Sequence, residues 1–312
     1  MIVICYHYPC PDGIFAALAA HVHFRDAGEP VRYFPLTTYK DASVADVGLS
    51  RDDTVYMLDF AGHPGFAQDL CAACARVVVL DHHKTALEAL GDPASRPENM
   101  EVTFDMDRSG ATIARDHFAP KVPETVAAMI RYIEDGDLWR WALAESKPFY
   151  AGLRAKGIEY DANKDPGVFE TLLRLDPGEL IAAGADLMAE EARVVDAHVA
   201  AAFVVQLGGA RGRSEGWGSC LAVRADGASD LRSPMGNALA AASRARGLRH
   251  MGVVAYVEPD AGEPDSIKVS MRSVGPTEDT TVVTKAYGGG GHLNASSCVM
   301  SIEEFEAWRV KE

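Results

Sequence analysis

The chain has 312 residues, of which 48% are hydrophobic and 24% are charged, and its formal net charge at pH 7 is −15. This composition is that of a globular protein with a sizeable core, and it excludes a membrane-spanning class because no apolar run is long enough to cross a bilayer. The acidic balance argues against broad, non-specific binding to duplex nucleic acid, but it is compatible with a small phosphorylated substrate.

Strand candidates alternate with helical segments through the first half of the chain. Strands are predicted at MIVICY, PVRYFPL, TVYMLDF and RVVVLD, and helices at DGIFAALAAHVHF, PGFAQDLCAACA and residues 109–118 and 123–134. Strand runs that are nearly all apolar are typical of sheets covered on both faces, so the pattern predicts an α/β domain with a doubly wound, mainly parallel sheet. In such sheets ligands bind beyond the carboxyl ends of the strands.

Polar side chains stand where several of these segments end. They are His7, Cys10 and Asp12 after the first strand, Asp59 after the third, Asp81, His82 and His83 after the fourth, and Asp135 and Asp137 in RYIEDGDLW. Any one of them alone is more often a helix cap, a turn residue or a surface residue. A convergent set of acids repels itself unless cations neutralise it, and carboxylate with imidazole suits manganese, magnesium or iron. The recurrence therefore predicts a metal site.

The second half of the chain is built differently. Residues 177–202 have long helical character, and the apolar runs MGVVAYVE and SIKVSMRSV predict paired strands beyond them. A further helix is predicted at SPMGNALAAASRA, with Ser233 as a possible N-cap. We therefore expect a catalytic metal-binding domain over residues 1–176, a connecting helix over 177–202 and a smaller α/β substrate-binding domain over 203–312. The active site is expected in the cleft between the two domains.

The tripeptide Asp81-His82-His83 resembles the signature of the DHH phosphoesterase superfamily. The order His7…Asp12, Asp59, Asp81-His82-His83, Asp135 is similar to the four successive motifs of that family, and AYGGGGHLNAS resembles the glycine-rich segment of the DHH-associated C-terminal domain. These motifs extend over residues 7–297, which is nearly the whole chain. The superfamily includes single-strand exonucleases, nano-RNA hydrolases, cyclic-dinucleotide phosphodiesterases, exopolyphosphatases and manganese-dependent pyrophosphatases.

The resemblance implies a site for two divalent cations, with Mn²⁺ favoured over Mg²⁺ or another ion. The implied ligands are His7 and Asp59 for one metal, and Asp12, Asp59, His82 and Asp135 for the other, with Asp59 bridging. Asp81 would orient the histidines, and His83 would bind the phosphate or protonate the leaving oxygen. The implied reaction is attack of metal-activated water on phosphorus.

Two positions depart from the family pattern or stay open. Cys10 stands where the first motif usually carries an acid, so that metal site loses a hard ligand. It could bind its metal weakly, use water instead, or accept a softer ion such as zinc through the thiolate. The fourth motif favours Asp135 as the ligand, while Asp137 could cap the next turn.

The resemblance also implies substrate-binding residues in the second half. Arg272 would bind a phosphate or a terminal carboxylate bidentately, and the glycine run would let backbone amides approach a phosphate closely. The candidates of that run and of the residues after it are Gly289, Gly290, Gly291, His292 and, more weakly, Asn294. Trp139 and Trp141 follow the fourth motif, and we expect them to pack in the core rather than to stack on a base.

The sequence as a whole predicts a divalent-metal-dependent phosphohydrolase that cleaves short oligonucleotides or nucleotide phosphoesters. An exopolyphosphatase-like activity is the alternative within the enzyme class, and a catalytically weakened nucleotide- or nucleic-acid-binding module is the alternative outside it. Six scattered cysteines are too few for a disulfide framework, and the N-terminus lacks a signal-peptide pattern, so we expect a cytoplasmic protein. We also expect a homodimer and no membrane partner.

Overall fold

A computed structural model describes residues 1–119, 121–258 and 265–311 of the chain. Contacts between Cα atoms divide the chain into one unit over Met1–Met188 and a second over Ala189–Glu312. This division lies inside the long helical segment that the sequence predicts over residues 177–202. The domain limits of the sequence analysis stay a prediction, and the two units are described separately below.

The first unit contains a five-stranded parallel sheet with the order β2-β1-β3-β4-β5. Its strands are β1 (Ile2–His7), β2 (Val31–Leu36), β3 (Thr54–Leu58), β4 (Arg76–Asp81) and β5 (Met100–Phe104). Because β1, β3 and β4 are parallel neighbours, their carboxyl ends lie side by side. The parallel α/β architecture predicted from the apolar strand runs is confirmed.

Helices between these strands and after the last of them cover both faces of the sheet. They are α1 (Pro11–Ala27), α2 (Val44–Val47), α3 (Phe66–Ala73), α4 (Lys84–Leu90), α5 (Gly110–Phe118), α6 (Glu124–Asp137), α7 (Ser146–Ala155), α8 (Val168–Leu173) and α9 (Pro177–Ala200). On one face, strand residues such as Ile4 and Leu80 pack in a core with α1 and α5 to α8. On the other face, Val3 and Val79 pack with α2, α3 and α4. Alternate strand residues thus enter two cores, which explains why the strands are apolar throughout.

The second unit contains a six-stranded mixed sheet with the order β10-β11-β9-β8-β7-β6, in which only β7 and β8 pair in parallel. Its strands are β6 (Phe203–Gln206), β7 (Ser219–Arg224), β8 (Met251–Tyr256), β9 (Ser266–Ser273), β10 (Gly290–His292) and β11 (Ala295–Ser301). Its helices are α10 (Gly209–Ser214), α11 (Arg232–Ala245), α12 (Thr281–Ala286) and α13 (Ile302–Glu306). Apolar residues from both faces of this sheet are buried, so it too is a covered sheet.

One local prediction of the sequence is wrong. Ser233 is not the N-cap of α11, because the helix begins at Arg232 after a short 3₁₀ turn over Ser229–Leu231. Its hydroxyl instead accepts a hydrogen bond from Arg272, with 2.7 Å between Oγ and Nη2. Within the described residues, no helix has the length and apolar content needed to span a membrane.

Candidate metal centre

Imidazoles and carboxylates meet at the carboxyl ends of three neighbouring strands of the first sheet. His7 is the last residue of β1, Asp59 directly follows β3, and Asp81 ends β4 before His82 and His83. The sequence predicted this convergence from the strand ends, and the structure brings these residues together. The site is therefore set by the sheet itself, since parallel strands deliver their last residues to one edge.

Asp59 lies at the centre of the cluster. One carboxylate oxygen, Oδ2, lies 3.2 Å from Nδ1 of His7, and the other, Oδ1, lies 3.1 Å from Nε2 of His82. Its backbone has a φ of 62°, in the left-handed region where aspartate is enriched among residues with a side chain. Burial would raise the pKa of Asp59, but hydrogen bonds from His7 and His82 outweigh burial and lower it. Each oxygen thus faces a different imidazole, as a bridging ligand would.

Asp12 lies in the first turn of α1 and is held by the N-terminus of another helix. Its Oδ2 accepts a hydrogen bond from the Gly110 amide at 2.6 Å, and its Oδ1 accepts one from the Ala111 amide at 3.0 Å. These amides belong to the first turn of α5, which lacks internal acceptors and carries partial positive charge. Asp12 Oδ2 also lies 3.8 Å from Nε2 of His82. The helix therefore fixes the direction of this buried carboxylate.

Gly110 is a site residue that sequence reasoning missed. A Cβ at this position would lie 2.6 Å from Cβ of Asp59, closer than real Cβ contacts come. Only glycine therefore lets α5 begin against Asp59. The signal in the sequence is the short stretch Ser109-Gly110-Ala111, in which the N-cap serine, whose Oγ accepts from the Thr112 amide, is followed by the two smallest residues.

Asp137 ends α6 and points into the cluster. Its Oδ2 lies 3.4 Å from Nε2 of His82, and its carboxylate, the carboxylate of Asp12 and the His82 ring can offer three ligand atoms within 4.8 Å of one another. Burial raises the pKa of Asp137, and the charge of Asp59 raises it further. The residue that the sequence treated as uncertain is therefore the one that completes this group.

Asp135 is not in the cluster, although the sequence favoured it as the ligand. Its carboxylate accepts hydrogen bonds from the amides of Ala142 at 2.9 Å and Leu143 at 3.1 Å, and from Oγ of Ser146 at 2.5 Å. Burial would raise the pKa of Asp135, but these donors outweigh burial and lower it. Residues two apart on a helix face different sides, so Asp135 and Asp137 cannot both reach the site. The structure reverses the preference between them.

Asp81 holds the backbone and one ring of the histidine pair. Its Oδ1 lies 2.7 Å and 2.9 Å from the amide nitrogens of His82 and His83, and 2.8 Å from Nδ1 of His83. The hydrogen bond that Nδ1 donates to Asp81 outweighs burial and raises the pKa of His83 to about 9. Because Nδ1 faces Asp81, Nε2 is the nitrogen of His83 left for a ligand. The side chain of His83 is 41% exposed, so a ligand can reach it.

The donor atoms fall into two adjacent groups that fit divalent cations. One comprises His7, Asp59 and His83, and the other comprises Asp12, His82 and Asp137. Burial raises the pKa of Asp12 well above its usual range, and the charges of Asp59 and Asp137 raise it further. Carboxylates crowded in this way favour a positive charge between them, and carboxylate with imidazole suits Mn²⁺ and related ions.

Cys10 belongs to neither group. It is the N-cap residue of α1, between His7 and Asp12 in the chain. Burial raises the pKa of its thiol far above the usual range, and the charges of Asp59 and Asp12 add to the shift. In the metal-free protein the neutral thiol is therefore favoured.

In the second unit, Arg272 and two of the glycines line one cavity of about 260 Å³, together with Arg232 and Lys268. Arg272 donates to the carbonyl of Met271 and to Ser233, and burial and the nearby Arg232 lower its pKa. Among the described residues, neither arginine forms an ion pair with a carboxylate. This cavity is therefore suited to an anion. Its glycines are Gly290 and Gly291.

The other predicted substrate residues have different surroundings. The amide of Asn294 donates to Oγ of Ser273 at 2.8 Å and to the carbonyl of Gly275 at 2.9 Å, so it ties its own hairpin to the fold. A Cβ at Gly289 would lie 2.1 Å from the carbonyl oxygen of Ser297, which gives this glycine a packing role. His292, at the end of β10, is exposed.

The expectation that both tryptophans after α6 pack in the core is wrong for Trp139. Its side chain is 78% exposed, whereas Trp141 is partly buried. Both have a left-handed backbone, with φ of 55° and 49°. The sequence could not show this exposure, because an aromatic residue next to a motif is compatible with either placement.

Comparisons with known proteins return relatives of low identity. No family model matches the chain. An uncharacterized protein, R106 of Acanthamoeba polyphaga mimivirus, is 23% identical over 311 residues, which cover 96% of this chain and 67% of that protein.

Several solved structures resemble the chain over 98% of its length. A pGpG-specific phosphodiesterase, PggH of Vibrio cholerae, is 12% identical, with 95% of that chain covered and a TM-score of 0.48. An exopolyphosphatase-related protein of Bacteroides fragilis is 12% identical, with 89% covered and a TM-score of 0.39. The exonuclease RecJ bound to manganese is 17% identical, with 87% covered and a TM-score of 0.42.

All three TM-scores lie below 0.5. A functional assignment for this chain therefore has to rest on its own motifs and on the geometry of its own side chains.

Proposed function

We propose that this protein is a divalent-metal-dependent phosphohydrolase that cleaves short oligonucleotides or nucleotide phosphoesters with water. The observation that carries the proposal is the cluster of cation ligands around Asp59, whose two oxygens face His7 and His82, with Asp12 and Asp137 beside His82. Two adjacent divalent cations commonly catalyse nucleophilic displacement at phosphorus. The resemblance of the motifs to the DHH superfamily supports the same activity.

Five residues would hold the cations, with Mn²⁺ as the favoured ion. His7 and Asp59 would bind one, and Asp12, Asp59, His82 and Asp137 the other, since Asp59 turns one oxygen to each side. When bound, such cations lower the pKa of water and withdraw negative charge from phosphate oxygens. The helix amides on Asp12 keep that carboxylate directed at the site without further rearrangement.

His83 would supply the proton for the leaving oxygen. The water oxygen bonds to phosphorus and gives up one proton to solvent, the bond from phosphorus to the leaving oxygen breaks, and that oxygen takes the proton from Nε2 of His83, which solvent then replaces. The hydrogen bond from Nδ1 to Asp81 fixes the ring and stabilises the imidazolium. Asp81 thus acts through His83 as a positioning residue.

Arg272 would anchor a second phosphate or a terminal group of the substrate. It shares a cavity with Arg232 and with the exposed backbone of Gly290 and Gly291. Among the described residues Arg272 has no acidic partner, and such a guanidinium is well suited to bidentate binding of phosphate. His292 and Asn294 stay weaker candidates, because the amide of Asn294 is already engaged in the fold.

The proposal is tested by product release after metal removal. The protein is treated with a chelator, resupplied with Mn²⁺ or Mg²⁺, and assayed on a dinucleotide, phosphoadenosine phosphate, a cyclic dinucleotide and polyphosphate. We expect turnover of the dinucleotide only with a divalent ion, and a loss of about 10²- to 10⁴-fold in His83→Ala. His63→Ala is the matched control, since that histidine pairs with Asp41 outside the cluster.

Two results would select another function. Turnover of polyphosphate but of no nucleotide would favour the exopolyphosphatase alternative. Absence of turnover with any divalent ion, together with nucleotide binding that survives His82→Ala, would leave a binding module and overturn the proposal.

A further inference from the structure

Trp139 presents its indole to solvent from a backbone conformation that is unfavourable for it. The side chain is 78% exposed, and its φ is 55°. A bulky residue in the left-handed region is uncommon and strained. Neither exposure nor strain stabilises the fold, so fold stability does not explain the position of this ring.

The turn that carries Trp139 is held by hydrogen bonds to Asp135, which lies near the end of α6. The backbone carbonyl of Asp135 accepts from the amides of Arg140 at 2.9 Å and Trp141 at 3.2 Å. Its carboxylate accepts from the next two amides, those of Ala142 and Leu143. Trp139 itself donates its amide to the carbonyl of Gly136 at 3.0 Å. The exposed ring is therefore part of a well-ordered turn.

A series of aromatic contacts supports the exposed ring from behind. The rings of Trp139 and Trp141 meet at nearly a right angle, with centroids 5.3 Å apart, and Trp141 meets Tyr150 in the same way at 5.7 Å. Tyr150 donates its hydroxyl to the carbonyl of Ile133 at 2.9 Å, and its ring packs where a Cβ at Gly136 would clash. The indole of Trp139 is thus a rigid platform with a free surface.

This platform begins at the candidate metal centre. Asp137, which contributes to the second donor group, is only two residues before Trp139. Two residues span at most about 7 Å between Cα atoms. The backbone of Trp139 therefore lies close to the cluster, where α6 ends.

We propose that Trp139 stacks on a nucleobase of the substrate and so makes the site select nucleoside phosphoesters over polyphosphate. This inference rests on the proposed function and names its substrate class. A preorganised indole offers a large flat surface to any base, without requiring a particular base sequence. Polyphosphate has no group that could use that surface.

The test compares ligands with and without bases in variants of one turn. Trp139→Ala and Trp139→Phe are made, with Leu143→Ala as the matched control, because Leu143 is an exposed side chain of the same turn whose amide contact is kept. All are placed in a His83→Ala background, so that binding can be measured without turnover. Calorimetry with Mn²⁺ present gives the Kd of a dinucleotide, of its analogue lacking both bases, and of tripolyphosphate.

We expect Trp139→Ala to weaken dinucleotide binding about 5- to 150-fold, which is the range of one base stacked on an aromatic ring. Trp139→Phe should recover part of the loss, and binding of the base-free ligands, binding of Mn²⁺ and the Leu143→Ala control should not change. An unchanged Kd for the dinucleotide, or an equal loss for the base-free analogue, would overturn the inference. A change confined to oligomeric mass would also overturn it and make Trp139 a subunit contact. Because binding is measured directly, an inactive wild type would refute the proposed function and still leave this comparison decisive.

Discussion

Asp135 and Asp137 lie two positions apart at the end of α6, and their carboxylates meet different partners. Asp137 approaches the imidazole of His82, at 3.4 Å from Nε2, among other acids. Asp135 accepts three hydrogen bonds from the turn that follows the helix. One carboxylate is thus poised for a cation, and the other already has its hydrogen bonds. Substituting each in turn should separate metal binding from local stability.

We expect Asp137→Asn to raise the Kd for Mn²⁺ about tenfold or more, a loss of roughly 1.4 kcal/mol, because an amide oxygen replaces a charged ligand. Asp135→Asn should leave that Kd unchanged. Isothermal titration of Mn²⁺ into chelator-treated protein measures both. A larger effect for Asp135→Asn than for Asp137→Asn would restore Asp135 as the ligand.

At the scale of residues, the sequence predicted those site members that depend only on where a strand ends. His7, Asp59 and the Asp81-His82-His83 run follow apolar strands, and parallel pairing brings them together. The choice of Asp137 depends instead on how a helix is rotated when it ends, which spacing alone does not determine. The amides that hold Asp12 belong to the backbone, so they cannot be recognised from the side chains in the sequence.

At the scale of elements, the turn after α6 is organised around one buried acid. Hydrogen bonds to the carboxylate of Asp135 come from the amides of Ala142 and Leu143 and from the hydroxyl of Ser146, the first residue of α7. These donors favour the charged form and lower the pKa of Asp135 below its usual value. The connection between the two helices therefore depends on that charge.

This dependence predicts how stability changes with pH. A carboxyl whose pKa is lower in the folded state stabilises the fold above its unfolded pKa of about 3.9, and the contribution is lost as pH falls through the folded value. We expect Asp135→Asn to reduce the free energy of unfolding by about 1.5–3 kcal/mol near pH 7. The difference from wild type should shrink as pH falls below about 4. Urea unfolding at a series of pH values measures the free energy of unfolding of both proteins. A difference between them that is independent of pH would contradict this role of the charge.

The elements with a strong local signal were predictable, whereas β5, α2, α4, α7 and α8 of the first unit were not among the predicted elements. The apolar strand runs of the first unit and the helices over residues 109–118 and 123–134 agree closely with β1 to β4, α5 and α6. Ser233 shows where such reasoning fails. A serine before a proline is a good N-cap pattern, but the preceding 3₁₀ turn lets the helix begin at Arg232, two residues earlier than that pattern predicts.

At the scale of the whole molecule, the chain carries a net charge of −15, and part of that charge is concentrated where it is costly. Asp12 and Asp59 are buried beside the partly buried Asp137. The pKa values of Asp12 and Asp137 are raised by burial and by the charges of their neighbours, so their charged forms oppose folding in the metal-free protein. Binding of cations should therefore stabilise the first unit as well as enable chemistry.

We expect Mn²⁺ at about 100 times its Kd to stabilise the chelator-treated protein by about 2.7 kcal/mol, and to raise its melting temperature by about 5–10 °C. Asp137→Asn should melt at or above the wild type without metal, because a repelling carboxylate is gone, and should gain less from Mn²⁺. Asp135→Asn should melt lower but keep the full Mn²⁺ shift, since its carboxylate lies outside the cluster. Differential scanning calorimetry of the three proteins with and without Mn²⁺ separates the effects. Equal Mn²⁺ shifts in all three would mean that the ion binds elsewhere, and the cluster at Asp59 would then not be the metal centre.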